Sequence, residues 1–141
     1  KRWPVGRFAA LAARLSGSGL RPVVVGGAAE APLAQAIRAT APDALDLTGR
    51  TSLVDLVRLG RRAAATVGND TGPVHLLAVA GAPTVALFSR ASDPALCAPR
   101  TGRVVVVRVD DLAGLSVERV AAALAAARES TPLQGGRPSL D

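Results

Sequence analysis

Residues 66–88, TVGNDTGPVHLLAVAGAPTVALF, hold two apolar runs separated by a short polar island. A strand ending at TVG, a helix opening at TGPVH and a second strand, PTVALF, follow one another directly. The strands show no alternation of apolar and polar residues, as expected where both faces of a parallel sheet are covered. The island lies where strand passes into helix: Asn69, Asp70, Thr71 and His75, with Gly72 and Pro73 between them.

The same alternation extends outward in both directions. Val5, Phe8, Leu11, Ala12 and Leu15 recur at the helical period, with Pro4 in the first turn and Gly17 or Gly19 at the stop. PVVVGG (22–27) reads as a buried strand, APLAQAIRATA as a helix with Leu33 and Ile37 on one face, and ALDLTG (44–49) as a weaker strand. TSLVDLVRLGRR is a helix with Ser52 and Asp55 in capping-box spacing and Leu53, Leu56 and Val57 facing inward. RVVVVRV (103–109) is the last strand, and a helix opened by Ser116 closes the domain. The fold class is therefore α/β, a Rossmann-like parallel sheet with helices on both faces. Residues 1–129 are expected to form the domain and 130–141, rich in turn formers, a flexible tail. The alternation begins with a helix and the sequence has no methionine, so a strand ahead of Lys1 and a longer parent chain are expected.

Composition narrows the function. The formal charge is +6, and every basic residue except Lys1 is an arginine. These arginines are scattered over helix surfaces, and one Trp and two Phe provide no stacking platform, so nucleic-acid binding is disfavoured. A solvated basic face, with peripheral contact to an acidic membrane, fits better. Arg, Ala, Gly and Val in excess over Lys also match a GC-rich genome. A single cysteine, Cys97, cannot form an internal disulfide and fits a reducing cytoplasm. No apolar run has membrane-spanning length. Walker, G-x-S-x-G and Cys/His metal motifs are absent from the sequence.

In open α/β sheets ligands sit at the carboxyl ends of the strands, and the polar island falls there. Asp70 or Thr71 is placed to cap the helix, Pro73 lies in its first turn, and Gly72 leaves the backbone open to a ligand. The unpaired amides and helix dipole make a phosphate site, to which His75 adds a donor or positive charge. Plainer roles stand beside these. Asp70 and Thr71 serve as simple caps, and His75, the only histidine, reads equally as a core residue bonded to a carbonyl. VVVGGAAEAP lacks the third glycine of a dinucleotide loop, but Gly26 and Gly27 allow close approach. Glu30 beyond them is either an acceptor for ribose or sugar hydroxyls or an ordinary acid at a helix start. RASDP (90–94) lines the same sheet edge or is an ordinary loop.

With KRWP at residues 1–4, GNDTGPVHLLAVAGAPTVALF resembles the signature of the heptosyltransferase-like glycosyltransferases, glycosyltransferase family nine. VVVGG, DLTGRTSL and the closing strand and helix come in that family's order, and the resemblance covers residues 1 to about 128. It implies the carboxyl-terminal, donor-binding half of a GT-B enzyme that moves a heptose or related sugar from an ADP-sugar to a lipopolysaccharide-like or other glycan acceptor. It places Lys1 and the Thr71 and Gly72 amides near the diphosphate, and Asp70 and His75 near the phosphate or the transferred sugar. Glu30 would approach the ribose, and the adenine would lie against Leu47 to Thr51. No metal is required, since helix amides, Lys1 and His75 stabilise the leaving diphosphate. The acceptor site and catalytic base would lie in an amino-terminal domain outside these residues. The glycine usual after the TVALF-type strand is replaced by Ser89 and Arg90. A stand-alone nucleotide-binding module or a nucleotide-sugar epimerase domain are the alternatives; the epimerase needs carboxylates near His75, for which Glu30 is the candidate.

Overall fold

The computed structural model describes residues 2–69, 71–90 and 104–129. Among these residues there are five helices, α1 (Val5–Gly17), α2 (Ala31–Thr40), α3 (Leu53–Arg62), α4 (Gly72–Val79) and α5 (Val117–Glu129), and five strands. The strands are β1 (Val23–Val24), β2 (Leu45–Asp46), β3 (Thr66–Asn69), β4 (Thr84–Phe88) and β5 (Val104–Arg108). Short 3₁₀ turns at Ala28–Glu30 and Leu112–Gly114 precede α2 and α5.

All described pairings are parallel, as short strand–helix–strand units require. β3 runs beside β4 with Thr66 opposite Thr84 and Asn69 opposite Leu87, and β5 continues the sheet on the far side of β4. β4 is buried along its whole length. Its side chains divide by the period of two: Val85 and Leu87 join Leu11, Val120 and Leu124 on the α1/α5 face, while Ala86 and Phe88 meet Val74 of α4 on the other. Helices thus cover both faces, as the unalternating apolar runs implied.

β1 pairs with β2 in a two-stranded sheet separate from β3–β4–β5. The runs read as strands over 22–27 and 44–49 each keep only two paired residues. Gly26 takes φ 143° and turns the chain out of the extended region, ending β1 early. Backbone bonds nevertheless run past the strand ends, from Leu45, Leu47 and Gly49 N–H to Pro22, Val24 and Gly26 carbonyls. Val23 and Leu45 are more than a third exposed, so burial of these strands is one-sided. Val106 on β5 is likewise partly exposed.

Three apolar clusters result among the described residues, and Phe8 of α1 packs against the two larger ones. Trp3, only 1% exposed, anchors the largest; its indole N–H donates to the Leu115 carbonyl at 2.9 Å and its ring meets Phe8 edge-on. α3 begins with the expected capping box: Ser52 Oγ accepts from Asp55 N–H, and Asp55 returns the bond to Ser52 N–H. Leu56 of α3 is buried and Val57 half-buried, but Leu53 is 73% exposed, contrary to its expected inward face. Leu53 is the first residue of α3, and no element among the described residues covers it. The tail (130–141) and the RASDP loop beyond Arg90 lie outside the described residues, as does Cys97.

Candidate functional site

The carboxyl ends of β1, β2 and β3 and the starts of α2, α3 and α4 lie on one edge, and the described candidate residues are found there. Lys1 and Asp70, two of the candidates, lie outside the described residues.

On the β3 side, Thr71 is extended (φ −139°, ψ 164°) and is the residue immediately before α4, while His75 N–H donates to its carbonyl. The Thr71 hydroxyl makes no capping bond, so the expectation of a Thr71 side-chain cap is not met. Ser52 caps α3, Ser116 Oγ accepts from Arg119 N–H and Asp111 caps the turn before α5, whereas α1 and α2, like α4, begin without a side-chain cap. No acidic residue lies in the first turn of α4. Its positive end therefore meets neither the Thr71 hydroxyl nor a first-turn carboxylate. Pro73 fits the first turn because it has no N–H to leave unpaired.

Two glycines here do different jobs. A Cβ on Gly68 would lie 2.6 Å from Val74 Cγ2, so Gly68 allows α4 to close on β3. A Cβ on Gly72 would meet nothing within 4 Å. Gly72 is exposed, and packing does not explain why the side chain is missing. His75 is half-buried and not a core residue. With Leu53, Leu56, Pro73 and Leu76 it lines an apolar groove of about 460 Å³ between α3 and α4.

On the β1–β2 side, Glu30 ends the 3₁₀ turn and its side chain lies over Gly26. A Cβ on Gly26 would come within 2.7 Å of Glu30 Cγ. The carboxylate pairs with Arg2, whose Nη1 lies 3.2 and 3.4 Å from its two oxygens. Thr51 is half-buried and shares a shallow concavity of about 310 Å³ with Leu47, Arg50 and Leu59. Thr51 and His75 thus border different hollows of the same edge. Nearby, the two Thr48 donors hold the Asp46 carboxyl below its ordinary value, the side-chain bond contributing most.

Arg2 and Asn69 are contributors that reading the motifs left without a role. Asn69 Oδ1 accepts the Trp3 main-chain N–H at 3.0 Å, tying the start of the chain to the end of β3. The signal was present in the sequence, since Asn69 adjoins Asp70 and Arg2 lies within KRWP, but pairing across 66 residues has no local pattern. Among the described residues, no group of three or more His, Cys, Asp or Glu is placed to hold a metal. No helix among them is long and apolar enough to cross a membrane.

Comparison with known proteins bears on this edge directly. The sequence profile of glycosyltransferase family 9 (heptosyltransferase) matches residues 1–125. This chain belongs to glycosyltransferase family 9. The family match runs from KRWP through the island to α5, and relatives agree with it. Lipooligosaccharide heptosyltransferase 2 of Haemophilus influenzae is 32% identical over 114 residues, covering 77% of this chain and 33% of that protein. A glycosyl transferase family 9 structure from Veillonella parvula superposes with TM-score 0.83 and 26% identity, over 93% of this chain and 43% of that one. The E. coli ADP-heptose LPS heptosyltransferase II gives 0.81 and 27%, over 91% and 42%. The E. coli heptosyltransferase WaaC, solved with ADP, gives 0.79 and 25%, over 89% and 39%. The chain spans about a third to two fifths of the length of these family 9 relatives.

Proposed function

We propose that this chain is the donor-binding half of a GT-B heptosyltransferase-like enzyme. It would hold a nucleotide sugar, of the adenosine series, while a heptose or related sugar passes to a lipopolysaccharide-like or other glycan acceptor. The acceptor and catalytic base belong, in this reading, to an amino-terminal domain, and the enzyme works at the cytoplasmic face of the membrane. The observation that carries the proposal is the start of α4: amides left without a Thr71 cap, beside an exposed glycine that no packing explains, in a family 9 chain.

The chemistry follows from charge. As the bond between sugar and diphosphate breaks, negative charge grows on the leaving oxygen. Donors fixed before the reaction stabilise that charge without reorganising. The Thr71 and Gly72 amides and the α4 dipole supply such donors; Lys1 and His75 add charge or hydrogen bonds, and Asp70 orients the phosphate or sugar. Glu30 accepts from ribose hydroxyls, and the Leu47–Thr51 backbone backs the base. No protein-bound metal enters the scheme.

Gly72→Ala tests the site and the fold separately. The position is open to its tertiary neighbours. A Cβ on the residue before Pro73, however, disfavours the helical conformation and offsets alanine's usual gain, so stability is expected to change by less than about 1 kcal/mol. The alanine methyl would stand in the phosphate path, so ADP affinity of the full-length protein is expected to fall about tenfold or more. Unchanged ADP binding by the folded variant would refute the site. Titration of the full-length protein with ADP, UDP and GDP then assigns the base, and selective binding of UDP or GDP would replace the proposed donor. A nucleotide-sugar epimerase would instead show its activity with no acceptor added.

A further inference from the structure

We propose that Asn69 is a positioning residue of the donor site. Through the Trp3 main chain it keeps Arg2 on Glu30, and so sets the Glu30 side of the site against the start of α4. The inference rests on the donor-site reading above.

That site would draw on the carboxyl ends of three strands. Glu30 and Thr51 follow β1 and β2, whereas Thr71, Gly72 and His75 follow β3. A ligand bridging both needs their spacing fixed before it arrives. At the carboxyl edge, Arg2 and Trp3 make that connection. Arg2 reaches Glu30 at 3.2 Å, and the next residue's N–H reaches Asn69 Oδ1 at 3.0 Å. Neighbouring Cα atoms are held about 3.8 Å apart, so the Trp3 bond fixes the main chain from which the Arg2 side chain reaches. The strap is itself anchored, because the Trp3 ring is buried, bonded to Leu115 and stacked edge-on with Phe8 at 4.8 Å.

Charge gives the strap a second use. A bare carboxylate at the edge of an anion site repels the diphosphate it is meant to assist. Arg2 offsets the Glu30 charge and, by bonding both oxygens, keeps the carboxylate laid over Gly26. An exposed ion pair holds poorly by itself, and Arg2 is 67% exposed. The Trp3–Asn69 bond supplies the order that the pair lacks. Asn69 would touch no substrate atom; it acts through the strap.

The test is a double-mutant cycle for ADP binding in the full-length protein, with Glu30→Gln made in parent, Asn69→Ala and Asn69→Asp backgrounds. In the parent, Glu30→Gln is expected to weaken ADP about fivefold. Asn69→Asp keeps an oxygen for the Trp3 N–H, so the same fivefold cost persists whatever its extra charge does to affinity overall. In Asn69→Ala, the cost of Glu30→Gln should shrink to within about twofold of none. Thermal melts accompany each variant; should Asn69→Ala fail to fold, Asn69→Ser, too short to reach Trp3, replaces it. An equal Glu30→Gln cost in every background overturns the Asn69 proposal and leaves the donor site standing. If Glu30→Gln and Gly72→Ala both leave ADP binding of the parent unchanged, the donor reading itself has failed.

Discussion

Ser52 and Asp55 exchange two hydrogen bonds, and this small ring has a measurable pH signature. The Ser52 backbone N–H, with the Ser52 hydroxyl second, holds the Asp55 carboxyl below the ordinary aspartate value of 3.8. A depressed folded-state value means that the ionised carboxylate stabilises the folded chain. That contribution is complete above the ordinary value and is lost as pH falls through the lower folded one. The stability advantage of the parent over Asp55→Asn should therefore be constant near neutrality and close on acidification below about pH 4. Chemical denaturation of both proteins across that range checks it; an advantage that grows in acid would contradict the assignment. Ser52→Ala is expected to cost about 1 kcal/mol at neutral pH in the same measurement. Both residues are legible from the sequence alone, because capping spacing is local. Leu53 departs from its expected face for the opposite reason: periodicity names a helix face, but only a neighbouring element covers it.

Gly60 governs how two elements meet. It is buried in α3, and a Cβ there would lie 2.6 Å from Ala80 Cβ and 2.9 Å from the Leu77 carbonyl oxygen. Intrinsic propensity favours alanine over glycine in a helix by up to about 1 kcal/mol. Overpacking against backbone costs about 1–3 kcal/mol, so the second effect wins. Gly60→Ala should lower stability by about 1–2 kcal/mol, read from the denaturation midpoint; a gain would show that α3 shifts freely. A sequence pattern gives no warning of such a contact, since RLGRR reads as an ordinary exposed stretch. What the pattern does convey is the order of strands and helices and the end of the sheet at which Thr71, Gly72 and His75 lie. The shortness of β1 is hidden, because VVVGG has full strand composition and leaves the extended region only at Gly26. The Arg2–Glu30 and Trp3–Asn69 contacts are hidden too, being consequences of tertiary approach.

At the scale of the whole molecule, the half-buried Phe8 ring packs against the two larger apolar clusters. Phe8→Ala is expected to cost about 2–3 kcal/mol, short of the range for a fully buried phenylalanine, by chemical denaturation. Its loss should also loosen the β1–β2 cluster relative to the β3–β5 cluster. The bonds from Leu45, Leu47 and Gly49 N–H onto β1 provide the reporter. They belong to the smaller sheet, while β4 amides lie at the centre of the larger one. Hydrogen–deuterium exchange should then show two clocks in one chain, fast at Leu47 and Gly49 and slow along β4. In Phe8→Ala the gap between them should widen. A nucleotide resting on Leu47 to Thr51 would slow the fast clock alone, so exchange at these amides would gauge occupancy of the site.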